Sequence, residues 1–134
     1  MTKDKQEMVL ALVRDLLFGS RIGDAVIAAG RQFTRVGTPQ QLLSHIASDA
    51  PELVIVDLGG ATPDLAEIAQ RASGARLVAF GPHVDAERLR SARRAGFHEV
   101  VTNGMLVRDL PALLARNLPP HAELNASVDG DPRG

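Results

Sequence analysis

The chain of 134 residues contains no cysteine, no tryptophan and no tyrosine, and its aromatic residues are the phenylalanines Phe18, Phe33, Phe80 and Phe97. Without cysteine there are no disulfides, no thiolate metal ligands and no thiol nucleophile. So few rings leave few stacking platforms for bases or a flavin. An excess of one charge is also missing. Fifteen Lys and Arg face sixteen Asp and Glu, a formal charge of -1, which argues against a general nucleic-acid binder, because such a domain is strongly basic. Uninterrupted apolar runs are short, Met8 to Val13 and Ala25 to Ala29, far below the roughly 18 residues of a membrane span. Met1 to Glu7 has no signal-peptide layout. A cytoplasmic protein that engages neither membrane nor nucleic acid is expected.

What the sequence does have is a 45% apolar, 23% charged composition, typical of a globular domain, and an alternation of two apolar periods. Met8 to Val13 is a continuous apolar run, as in a strand covered on both faces. Ser20 is positioned to cap a helix with Ile22, Val26 and Ala29 on one face and Gly30 as its stop. Gln32 to Val36 reads as an edge strand. Thr38 and Pro39 open a helix carrying Leu42, Leu43 and Ile46. Leu53 to Val56 is a second buried strand and ends on Asp57, followed by Gly59 and Gly60. Thr62, Pro63 and Asp64 open a third helix with Leu65, Ile68, Ala69 and Ala72 inward.

Leu77 to Phe80 is a further buried strand, broken by Gly81 and Pro82. Asp85 caps an arginine-rich helix from Ala86 to Ala95 that Gly96 stops, Glu99 to Thr102 is the last strand, and a final helix spans about Asp109 to Asn117. Residues 1–118 form one domain in this reading, and 119–134, without periodicity, a disordered tail. Five strands alternating with five helices imply a doubly wound α/β fold, a five-stranded parallel sheet in a flavodoxin-like three-layer sandwich. In such a fold, function sits beyond the carboxyl ends of the strands, where the winding reverses. The residues there are Arg14 and Asp15, Asp57 and Leu58, Gly81 to His83, and Thr102 to Gly104.

Over residues 7 to 118 the segments VRDLLFGSRI (13 to 22), PELVIVDLGG (51 to 60) and RRAGFHEVVTNGML (93 to 106) resemble the receiver domains of bacterial two-component response regulators. The resemblance places the phospho-acceptor on Asp57. The pair of acids that holds magnesium in a receiver falls on Arg14 and Asp15, so one acid of the pair is lost. The hydroxyl position falls on Gly81 after Thr or Ser in the family, the switch lysine on Asn103, and the aromatic of the last strand on Val100. An acceptor kept and a sensing apparatus lost imply a degenerate member, a pseudo-receiver.

Magnesium needs carboxylate oxygens, and a guanidinium beside the site repels it. No metal and no cofactor are therefore expected, and no enzymatic activity. Arg14 is expected to pair with Asp57, because its fork suits a carboxylate and never deprotonates. Arg88, Arg90, Arg93 and Arg94 make the fourth helix a basic spot, with Glu87 nearby. In receivers that helix and the following strand and helix meet partners, so Arg90, Arg93, Arg94 and Val100 form the expected face for a protein partner or a second copy of the chain. With neither switch lysine nor aromatic, nothing in the sequence links the pocket to that face. The expected function is that of a stand-alone signalling module that interacts independently of phosphorylation. The alternatives are a working single-domain response regulator phosphorylated on Asp57 and a small-ligand binder using the same cleft. Leu16, Leu17 and Phe18, like Met105 and Leu106, read as large apolar groups in loops at that end.

Overall fold

The computed structural model describes residues 7–60 and 63–119. Its elements run β1 (Met8–Leu12), α1 (Leu16–Ala28), β2 (Gln32–Val36), α2 (Pro39–Asp49), β3 (Leu53–Asp57), α3 (Leu65–Arg71), β4 (Arg76–Gly81), α4 (Ala86–Arg94), β5 (Glu99–Thr102), α5 (Asn103–Arg108) and α6 (Leu110–Asn117). The strands form one sheet in the order β2-β1-β3-β4-β5, and every pairing is parallel. The doubly wound flavodoxin-like sandwich is therefore observed. Alternate residues of each central strand serve opposite layers. Leu10, Leu12, Val54, Val56 and Ala79 pack towards Leu42 and Ile46 of α2, Ile68 of α3 and Leu89 of α4. Val9, Ala11, Ile55, Val78 and Phe80 pack towards Ile22 and Val26 of α1 and Leu106, Leu110 and Leu114 of α5 and α6.

The turn signals act largely where they were expected. The Thr38 hydroxyl accepts from Gln41 N at the start of α2, and Gly30 and Gly96 adopt positive φ of 83° and 104° after α1 and α4. Three helix starts differ. Helix α1 begins four residues before Ser20, because the Asp15 carboxylate accepts from Leu17 N at 2.8 Å and Phe18 N at 3.1 Å, and that satisfies the orphan donors of the first turn. Helix α3 is capped by Asp64, which accepts from Glu67 N; Thr62 lies outside the described residues. Asp85 occupies the α4 cap position without capping, since its carboxylate pairs with Arg88 Nε at 3.1 Å.

An additional helix, α5, follows β5 directly, with Thr102 Oγ1 accepting from Met105 N. Leu16, Leu17 and Phe18 thus form the first turn of α1, and Met105 and Leu106 lie in α5 rather than in loops. Leu106 is fully buried, whereas Leu16 and Leu17 are exposed, and the Phe18 ring tilts against Phe80 at 5.6 Å. The tail expected from residue 119 lies, from 120 onward, outside the described residues. Among the described residues no helix is long and apolar enough to cross a membrane.

The amino-terminal end of the sheet is closed by polar side chains. Arg31 and Glu52 are an ion pair at 2.7 Å with side chains only 6% and 9% exposed, and Arg31 also donates to the Pro119 carbonyl. Asn117, 1% exposed, donates to Glu99 Oε1 at 2.9 Å and the Leu113 carbonyl at 2.8 Å. Its Oδ1 accepts from Arg76. A concavity of about 890 Å³ opens here, its lining including Ile46, Ala72, Arg76 and Arg116. Helices α2, α3 and α6 end beside it, and their negative carboxyl termini account for the arginines around it.

Candidate functional site

The site lies at the opposite end of the sheet, in the crevice where the winding reverses between β1 and β3. Strand register aligns Leu12 with Val56, Asp57 with Phe80 and Gly81 with Thr102, so residues that follow β1, β3, β4 and β5 converge there. Asp57 is half-buried, and its Oδ1 accepts from Gly59 N at 2.8 Å. Burial lifts the Asp57 carboxyl above the usual carboxylate range; the Gly59 N–H and the Arg14 charge oppose that lift, and the Asp15 charge adds to it.

The raised value has a consequence for stability. The unfolded chain gives up this proton at lower pH than the folded one, so stability falls as pH rises from the ordinary value of 3.8 through the raised folded value, and stays lower above it. Asp57→Asn keeps an oxygen for Gly59 N and removes the charge. It is expected to raise the thermal midpoint at pH 7 and to match the parent below pH 3.8. Melting curves at the two pH values check this, and an unchanged midpoint at pH 7 would sink it.

Arg14 does not close the expected ion pair with Asp57. Its Nη1 donates instead to the Gly59 carbonyl at 3.3 Å, where it acts on Asp57 through charge alone. Gly60 makes room for it: with φ at 81°, a Cβ there would stand 2.7 Å from Arg14 Nη1. Asp15 directs its carboxylate to the α1 cap. Gly81 lies against Leu58, whose Cβ would be 3.2 Å from a Cβ at position 81, so an apolar side chain fills the space that a hydroxyl-bearing residue would need. Thr102 Oγ1 caps α5, and Asn103 Oδ1 is buried with no hydrogen-bond partner among the described residues. His83 is exposed.

These residues do not fit a magnesium ion. Of the two carboxylates beside the crevice, Asp15 serves as a helix cap and Asp57 is bound to Gly59 N. Arg14, bonded to the Gly59 carbonyl, adds a positive charge that acts on Asp57. Among the described residues, no three His, Cys, Asp or Glu side chains gather into a ligand set, and the hard cation needs several oxygens at octahedral positions.

Sequence reasoning placed Arg88 in the basic fourth helix and missed its contact with the loop after Asp57. From α4, its Nη1 donates to the carbonyls of Leu58 at 2.6 Å and Gly60 at 2.8 Å. Arg35 of β2 likewise donates to the Val13 carbonyl at 2.6 Å. Guanidinium groups thus hold strand-end carbonyls on both sides of the crevice. A basic residue three positions after an acid at a helix start, as Arg88 is after Asp85, is the only sequence signal, and it announces the local pair rather than the loop contact.

On the proposed partner face, Arg90 and Arg94 share Glu87, at 2.9 and 2.7 Å. Both hydrogen bonds and both positive charges hold the Glu87 carboxyl below its ordinary range. Among the described residues Arg93 bonds to the Val100 carbonyl, at 3.5 Å, and to no carboxylate, and Val100 is half-buried against the core beside α4.

No sequence-family description and no curated protein matches this chain. Solved structures do match in fold. They include the receiver domain of NtrX from Brucella abortus, with a TM-score of 0.72 and 22% identity over 82% of this chain and 97% of that one. HP1043, an orphan response regulator of H. pylori, has a TM-score of 0.69 and 17% identity over 81% and 91% of the two chains. The Vibrio cholerae chemotaxis protein CheY4 has a TM-score of 0.72 and 12% identity over 84% and 99%. The chain therefore has the CheY-like fold of response-regulator receiver domains. At these identities the likeness is one of fold.

Proposed function

We propose that this chain is a pseudo-receiver: a signalling module on the receiver fold that binds a protein partner without being switched by phosphorylation. The observation that carries the proposal is Arg14 bonded to the Gly59 carbonyl beside Asp57, together with Asp15 turned to its helix cap. Phosphoryl transfer to a carboxylate relies on cations that can meet the incoming oxygens. Here the nearby guanidinium is engaged with backbone, the hydroxyl position is Gly81 packed on Leu58, and Asn103 offers a neutral amide. Catalysis is no part of this reading. The partner face is α4 with β5, where Arg93, among the described residues, pairs with no carboxylate. An acidic protein surface suits it, with an on-rate that falls as salt rises; a second copy of the chain is the other occupant to test.

The test is a chemical-shift titration with beryllofluoride and magnesium, a mimic of the phosphorylated carboxylate. Shifts at Asp15, Asp57 and Thr102 should stay small and fail to saturate. Saturation at sub-millimolar magnesium would return the chain to the working receivers.

A further inference from the structure

We infer that Arg88 is a positioning residue that couples the α4 face to the Asp57 loop, in place of a route through β5. It rests on the pseudo-receiver reading only in taking α4 as the docking face. Arg88 is rooted in the first turn of α4 and fixed there by Asp85, Nε to Oδ2 at 3.1 Å. Its Nη1 reaches across to the Leu58 and Gly60 carbonyls, at 2.6 and 2.8 Å. One nitrogen therefore holds both ends of the short segment whose middle residue, Gly59, donates to Asp57. Leu58 is tied to the sheet as well, its N–H donating to the Phe80 carbonyl at 2.8 Å, and Leu89, the next residue of α4, approaches Gly81 beneath it.

A change at Asp57 thus reaches Gly59 through one hydrogen bond, and Leu58 and Gly60 through the chain. From there it reaches α4 through a charge-assisted contact, of the strong kind. The converse holds for a partner that tilts α4. Linkage requires the two effects to be equal.

A double-mutant cycle in the whole protein tests the coupling: amide hydrogen exchange across residues 86–94 in the parent, Asp57→Asn, Arg88→Met and the pair. Methionine keeps the aliphatic reach of residue 88 and removes the guanidinium. In the parent background Asp57→Asn should change α4 exchange about five-fold, the lower end of ordinary coupling between sites. In the Arg88→Met background the change should vanish. Equal changes in both backgrounds, or none in the parent, would overturn the assignment. Arg88→Gln replaces the methionine variant if that one does not fold. The beryllofluoride titration reads the pocket chemistry separately, so the coupling and the pseudo-receiver reading can fail independently.

Discussion

Arg14→Asp should give this protein a magnesium affinity that the parent lacks. In the parent, Arg14 places a guanidinium at 3.3 Å from the Gly59 carbonyl and lowers the Asp57 carboxyl by its charge. Replacing it by aspartate removes a repelling cation and brings three carboxylates, residues 14, 15 and 57, to one crevice. That is the kind of oxygen set a hard dication requires. Titration calorimetry should give a saturable heat for the variant and none for the parent, and the bound ion should raise the thermal midpoint by mass action. The carboxyl of Asp57 moves further up without metal, because a like charge has replaced an opposite one. A folded variant with no heat would show that the crevice is closed by something other than Arg14, with the Leu58 side chain over Gly81 the first place to look.

The second large effect lies at the far end of the sheet. Asn117→Ala should destabilise the domain by about 2–3 kcal/mol, because it removes a buried amide whose bonds reach charged groups. The amide joins Glu99, Arg76 and the Leu113 carbonyl, and alanine leaves that carbonyl without its side-chain donor. Glu99 gives the loss a pH signature. Its carboxyl is held below the ordinary 4.5 chiefly by Arg116, with burial opposing and Asn117 assisting. A lowered acid contributes stability above its unfolded value and loses it as pH falls through the folded one. The gap between parent and variant should therefore be widest at neutral pH and narrow below 4.5. Denaturant unfolding measures it; a loss under about 0.5 kcal/mol at pH 7, the range of an ordinary surface change, would refute the structural role of Asn117.

The strands were legible because their code is local. Runs such as Leu53 to Val56 are apolar on consecutive residues, and the fold supplies a helical layer on each side to bury them. Gly30, Thr38 and Gly96 mark helix ends through backbone geometry that is set within a few residues. Asp15 was harder. The resemblance reads it as one acid of a metal-holding pair, whereas the structure uses it as a cap, and spacing alone does not decide between two uses of one carboxylate. Helix α5 is a single turn and a half without a complete apolar stripe, so its existence rests on Thr102 as cap and on Leu106 finding the core. The Arg88 contacts span 28 and 30 residues, and no periodicity encodes which loop a long side chain crosses. Asn117 was the last residue of a predicted helix; that it is buried depends on Arg76 and Glu99 arriving from two neighbouring strands.

Met8, where the described chain enters the sheet, and Pro119 both lie at the amino-terminal end, where Glu52 N donates to the Met8 carbonyl and Arg31 reaches the Pro119 carbonyl. The Asp57 crevice opens on the opposite side. A fluorophore, an affinity handle or a tether to a surface attached at position 8 or 119 is thus separated from the crevice by the full height of the sheet. Immobilisation through position 119 presents the Asp57 crevice outward in binding measurements.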